Sequence, residues 1–141
     1  MLLIFGAISC EEKTGGQDTT ISTTPTPSIT VQQLCRLAES DRDIFVMDVR
    51  TEPEFEQLRL AFADIRLPYD SLSGLLGLLP QDTTAEMYCF CRTGRRSAIS
   101  TDYLRSIGYT NVYNVSGGIA AWRQAGYPTV SGKWTPPGGT K

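Results

Sequence analysis

Apolar positions recur along the chain at two spacings, and reading them in order predicts a series of strands and helices. Ser28-Ile29-Thr30 is a short extended lead-in. Thr30-Val31-Gln32-Gln33 fits a capping box, so a first helix starts there. Val31, Leu34, Cys35 and Ala38 keep helical spacing to about Ser40, with Cys35 as a small core residue on the apolar face. The unbroken run from Ile44 to Val49 reads as a strand covered on both faces. Thr51-Glu52-Pro53-Glu54 opens a second helix, with threonine as N-cap, proline in the first turn and glutamate three residues on. Ile65-Arg66-Leu67 is a shorter strand stopped by Pro68, and Leu72, Leu75, Leu76 and Leu79 mark a helical face closed by Pro80. Glu86 to Phe90 is the third main strand. Ala98, Thr101, Tyr103, Leu104 and Ile107 continue as a helix from about Ser97 to Gly108. Asn111 to Val115 forms a further strand, and Gly117-Gly118 precede a last helix through Trp122 that ends at Gly126-Tyr127-Pro128. Residues 129–141 are expected to be a loose tail. Strands alternating with helices predict an α/β fold, a parallel sheet with helices on both faces.

Composition narrows the class. The chain has 141 residues, 40% hydrophobic and 20% charged, which suits one globular domain. Removing residues 1–27 takes away Lys13 against Glu11, Glu12 and Asp18. That leaves 13 − 1 = 12 basic and 15 − 3 = 12 acidic side chains, a balance without the basic footprint of a nucleic-acid binder. The chain has no histidine, which excludes histidine triads, Cys/His dyads and His-containing metal sites. No metal or cofactor is expected.

The N-terminus has a separate character. "MLLIFGAISC" is an apolar run too short to span a bilayer, and it resembles the tail of a bacterial lipoprotein signal with Cys10 as the lipidated residue. Residues 1–10 are therefore read as a signal remnant. Residues 11–28, rich in Thr, Ser, Pro and Gly, cannot bury enough surface to order themselves and read as a flexible tether. Such a tether spans roughly 25 Å. The expected placement is extracytoplasmic, anchored to a bacterial membrane through lipid; without that signal, a cytoplasmic placement is the alternative.

The candidate chemistry lies in "MYCFCRTGRRS", residues 87–97. A loop between a strand's carboxyl end and a helix N-terminus is where parallel sheets bind ligands. If the backbone from Cys91 to Arg96 curls around the Cys91 sulfur, its amides form a nest that favours negative charge. Gly94 permits the positive φ that a tight cradle needs. A thiolate there, with arginines nearby, is expected to be nucleophilic at neutral pH without a general base. Cys89, two residues earlier, shares a face with Cys91 one step deeper and reads as a packed core thiol. A Cys89–Cys91 disulfide would be strained, and a Cys-x-Cys zinc site lacks further ligands.

With those residues in view, the region from about Ile29 to Tyr127 resembles a single rhodanese domain. The matching pieces are "MDVRTEPEF" (47–55), "LPYDSL" (67–72), "YCFCRTGRRS" (88–97), "LRSIGYTNVYNVSGGIAAW" (104–122) and "AGYP" (125–128). The resemblance implies a sheet of about five parallel strands over residues 29–128, and a cysteine that carries sulfur as a persulfide. By position, that nucleophile falls on Cys91. The cradle is then Arg92, Thr93, Gly94, Arg95, Arg96 and Ser97, with Arg92 helping to bind the anionic donor and Arg96 closing the loop. Asp48, Arg50 and Glu54 match positions that hold the fold together. Two departures stand out: Arg59 occupies a place where histidine is usual, which changes one wall near the site, and Cys89 is extra to the motif.

The resemblance implies a thiosulfate sulfurtransferase-type enzyme that moves sulfane sulfur from a small anionic donor such as thiosulfate to cyanide or a thiol. A monomer is expected. Two alternatives stay open. One is a catalytically idle module that binds a partner or senses redox state. The other is a cysteine phosphatase, whose loops place five residues between Cys and Arg. Cys91 to Arg96 has four; Cys89 to Arg95 has five, but with Tyr88 and Arg92 where that family has histidine and glycine.

Overall fold

The computed structural model describes residues 25–135. Cys10, the 1–10 signal remnant, residues 11–24 of the tether and residues 136–141 lie outside the described residues. Within them the strands are β1 (Ser28–Ile29), β2 (Phe45–Asp48), β3 (Ile65–Arg66), β4 (Met87–Phe90) and β5 (Val112–Val115). The helices are α1 (Val31–Glu39), α2 (Glu52–Gln57), α3 (Arg95–Ser106) and α4 (Gly118–Gln124). All strand pairs are parallel, in the order β1-β5-β4-β2-β3, so the central strand β4 carries the candidate loop at its carboxyl end. This is the α/β fold with a five-stranded parallel sheet that the sequence led us to expect.

Local chemistry starts α1 and α2 as anticipated. The Thr30 hydroxyl accepts from the Gln33 N–H while the Gln33 side chain accepts from the Thr30 N–H, and Thr51 with Glu54 repeats the arrangement. Alternation along the strands then divides the core in two. Val46, Tyr88, Phe90 and Val115 face one layer with Leu34 and Trp122. Met47, Met87, Cys89, Leu104 and Val112 face the other, and Cys91 continues that second face beyond the strand end.

Four expectations need correction. The leucine-rich segment is not an α-helix but two 3₁₀ turns, Tyr69–Gly74 and Leu76–Leu78, with Leu72 and Leu79 buried. A three-residue spacing fits 3₁₀ geometry as well as α, and Gly74 and Gly77 weaken the longer helix. The lower end of the 11–28 tether is already docked. Ser28 pairs with Asn114 in the sheet, and the Thr26 hydroxyl donates to Asp102 at 2.8 Å.

The 129–141 segment is attached as far as Trp134. Val130 pairs with Arg59, the Gly132 N–H donates to the Glu56 carbonyl at 2.7 Å, and the Trp134 ring meets the Phe55 ring edge-on at 5.1 Å. Arg59 itself is not a wall of the site. Its guanidinium lies over the Phe55 ring at 5.1 Å and donates to the Gly132 carbonyl at 2.7 Å, so its planar cation serves to bind this C-terminal strap.

Candidate active site

Helix α3 begins two residues before the expected Ser97, and its start explains the geometry of the site. Its N-cap is Gly94, left-handed at φ 100°, which has no side chain to cap the first-turn N–H groups. The Cys91 sulfur takes that place. It accepts from the Gly94 N–H at 3.1 Å, the Ser97 N–H at 3.4 Å and the Ser97 hydroxyl at 3.3 Å. The loop is clamped from behind by α4, where Ile119 N–H donates to the Cys91 carbonyl at 2.9 Å and Ala120 N–H to the Arg92 carbonyl at 3.0 Å. That approach requires Gly118, at φ +53°, because a Cβ there would lie 2.3 Å from the Cys91 carbonyl oxygen. Two helix N-termini therefore organise one loop, α3 facing the sulfur and α4 holding the carbonyls.

The electrostatics follow from this arrangement. Burial is the largest influence on Cys91 and pushes its thiol up. The Ser97 hydroxyl, then the N–H groups of Ser97, Gly94 and Thr93, together outweigh it and leave the pKa below its ordinary value. Thr93, Gly94 and Ser97 thus sit around the sulfur as expected. The arginines behave differently: no guanidinium is hydrogen-bonded to the sulfur. Arg96 makes a two-pronged ion pair with Glu54, at 2.9 and 2.8 Å. This holds the Glu54 carboxyl down at about 2. Arg96 is raised in turn, first by the Glu54 hydrogen bond and in smaller part by the field of Cys91. Arg92 and Arg95 are exposed. The hydrogen bonds to the sulfur therefore come from donors of the loop and helix start, while the Arg96 guanidinium is turned to Glu54.

Asp48, Arg50 and Glu54 do hold the frame. Arg50 is buried, reaches Asp48 at 2.7 Å and also donates to the Leu58 carbonyl at 2.7 Å. Cys89 is fully buried beneath Cys91, and burial foremost pushes its thiol up to about 12. The Thr101 hydroxyl approaches that sulfur and slightly offsets the burial, while making no hydrogen bond of good geometry. Both cysteines are free. Among the described residues no group of three or more His, Cys, Asp or Glu side chains could hold a metal ion.

Sequence reasoning missed Asn114. It lies on β5 with its Oδ1 2.5 Å from the Ser97 hydroxyl, and its amide N–H donates to the Ser28 hydroxyl at 3.3 Å. A buried asparagine in a strand is a signal that was present in "VYNV". Also missed was a cleft of about 470 Å³, lined by Arg92 of the loop, Ile119 and Arg123 of α4, and Arg50, Glu54, Gln57 and Leu58.

Comparison with known proteins bears on this geometry. The profile of the family described as Rhodanese-like domain matches residues 30–125. A protein named Sulfurtransferase from Allochromatium vinosum is 35% identical over 96 residues, which cover 68% of this chain and 86% of the relative. The crystal structure of a rhodanese-related protein from Thermoplasma volcanium superposes with a TM-score of 0.65 at 30% identity, covering 74% of this chain and 97% of that one. A thiosulfate sulfurtransferase from Pseudomonas aeruginosa shares the fold with a TM-score of 0.72 at 22% identity, over 82% of this chain and 22% of that one. Relatives named sulfurtransferase support an activity of that general type. Since the family profile runs from the first turn of α1 to the end of α4, across every strand but the edge strand β1, the chain belongs to the rhodanese-like domain family.

Proposed function

We propose that the protein is a sulfurtransferase that carries sulfane sulfur on Cys91, with a small anion such as thiosulfate as donor. The observation that carries this reading is the Cys91 sulfur at the focus of the Gly94 N–H, the Ser97 N–H and the Ser97 hydroxyl. Donors aimed at one atom stabilise the charge on it before and during reaction. The Cys91 thiolate attacks the outer sulfur of thiosulfate, an S–S bond to Cys91 forms, the sulfur–sulfur bond of thiosulfate breaks, and sulfite leaves with its electron pair. The terminal sulfur of the resulting persulfide carries the negative charge. A thiolate or cyanide then attacks that sulfur and returns Cys91 as thiolate.

Intact-protein mass spectrometry before and after thiosulfate tests this. A gain of one sulfur atom is expected in wild type and in Cys89→Ser, and none in Cys91→Ser. A gain that disappears in Cys89→Ser instead would move the chemistry to the other thiol. Absence of any gain in the folded wild type would overturn the reading of a Cys91 persulfide charged by thiosulfate.

We also propose that the domain is displayed outside the cytoplasm on a lipid anchor at Cys10, on the support of the apolar run 1–10 and the polar segment after it. Partition of the full chain into detergent, lost in Cys10→Ser, is the expected result.

A further inference from the structure

The cleft beside the loop contains more room than the donor needs. At about 470 Å³ it falls in the range of pockets that hold organic ligands of appreciable size, whereas thiosulfate and cyanide have only a few atoms. Its charge is also unbalanced. Of its ionic side chains, Arg50 is neutralised by Asp48 and Glu54 by Arg96. Arg92 and Arg123 have no carboxylate or carbonyl partner among the described residues, and both are exposed. Elsewhere Arg42 and Arg66 pair with Glu86 and Glu52, so unpaired guanidiniums facing one cleft are not the rule on this surface.

Ile119, whose N–H holds the Cys91 carbonyl, and Arg123 are four residues apart and so project from one helical face into the cleft. Leu58 and Ile119 give the cleft apolar walls, while Arg92 and Arg123 place positive charge near its rim.

We infer that this cleft is the acceptor site, and that it selects small organic thiols bearing their own carboxylate groups, held by Arg123 together with Arg92. The inference rests on the persulfide reading above. In the transfer, the acceptor thiolate attacks the outer sulfur of the Cys91 persulfide. A new S–S bond forms on the acceptor, the Cys91–sulfur bond breaks, and its electron pair stays on Cys91 as thiolate; no outside oxidant or reductant is consumed. Arg123 acts on the acceptor's remote charge and is a specificity residue.

The test separates the two half-reactions. The full chain is loaded with thiosulfate, the added sulfur is verified by mass, excess donor is removed, and sulfur loss is timed with mercaptosuccinate or with its uncharged diamide. The ratio of the two rate constants, compared between variants, cancels the intrinsic reactivity of each thiol. Wild type is expected to favour mercaptosuccinate. The ratio should fall about fivefold in Arg123→Gln, the size of an exposed ion pair, fall further in Arg123→Glu, and recover in Arg123→Lys. Added salt should lower the wild-type ratio and leave the Arg123→Gln ratio nearly flat. A loaded persulfide whose ratio is the same in wild type, Arg123→Gln and Arg123→Glu would overturn the acceptor site and leave the persulfide reading standing. Failure of wild type to load any sulfur would overturn both.

Discussion

Ser97 offers one proton to two acceptors, and that competition adjusts the acidity of Cys91. Its hydroxyl lies 3.3 Å from the Cys91 sulfur and 2.5 Å from Asn114 Oδ1. The Asn114 amide is oriented by its own N–H bond to Ser28, which leaves Oδ1 toward Ser97. While Cys91 is a thiol, the Ser97 proton rests on Asn114 and the S–H can donate to the Ser97 oxygen. On ionisation the sulfur draws that proton away from Asn114. A hydrogen bond to a charged group contributes about 1.5–3 kcal/mol and a neutral one about 0.5–1.5 kcal/mol. Their difference, about 1–1.5 kcal/mol, favours the thiolate.

Ser97→Ala is therefore expected to raise the Cys91 pKa and to slow its alkylation at neutral pH by about tenfold. Asn114→Ala removes the competing acceptor and is expected to lower the pKa. The assay is the rate of alkylation at the Cys91-containing peptide as a function of pH, read by mass spectrometry. Ser97→Ala also strands a buried carbonyl oxygen, at about 1–3 kcal/mol of stability, so circular dichroism must verify folding at each pH. An unmoved titration in Ser97→Ala, or shifts of the same sign in both variants, would refute the reasoning.

Other expectations follow from the frame. Gly118→Ala places a methyl 2.3 Å from the Cys91 carbonyl oxygen at a left-handed φ, and denaturant unfolding should show a loss above about 2 kcal/mol with slowed Cys91 alkylation. Glu54 is depressed from 4.5 to about 2, first by the Arg96 hydrogen bond, so its stabilising contribution is complete above 4.5 and lost as pH falls toward 2. The pair is solvent-screened and contributes below about 1 kcal/mol; the acid-induced fall in Tm across that window should be shallower in Glu54→Gln than in wild type. Cys89, pushed up to about 12 by burial, should resist alkylation at neutral pH. Cys89→Ala should cost about 1 kcal/mol of stability and keep the sulfur uptake measured by mass.

What could be read from the chain was what neighbouring residues decide among themselves. Thr30 with Gln33 and Thr51 with Glu54 cap helices through contacts three residues apart. The run from Met87 to Phe90 alternates faces by strand geometry, which placed Cys89 under Cys91. The cradle around Cys91 is likewise local, since its donors lie within six residues of the sulfur. The leucines from Leu72 to Leu79 are local as well, but a three-residue period fits two kinds of helix, and the glycines between them favoured the tighter one.

The contacts that local reading does not reach have partners far along the chain. Arg96, expected to close the loop, pairs with Glu54 at a separation of 42 residues. Arg59 was placed near the site, yet it binds the Gly132 carbonyl 73 residues away. Asn114 reaches Ser97 across 17 residues and was not considered at all. By itself the sequence determined the order of elements, the caps and the identity of the cysteine at the head of the loop, because backbone geometry and short-range hydrogen bonds act within a few residues. Only the tertiary structure decided which charges cancel, which guanidiniums remain to face the cleft, and which carbonyl competes with the sulfur for the Ser97 proton. Those outcomes depend on which distant side chains the parallel sheet brings within hydrogen-bond distance.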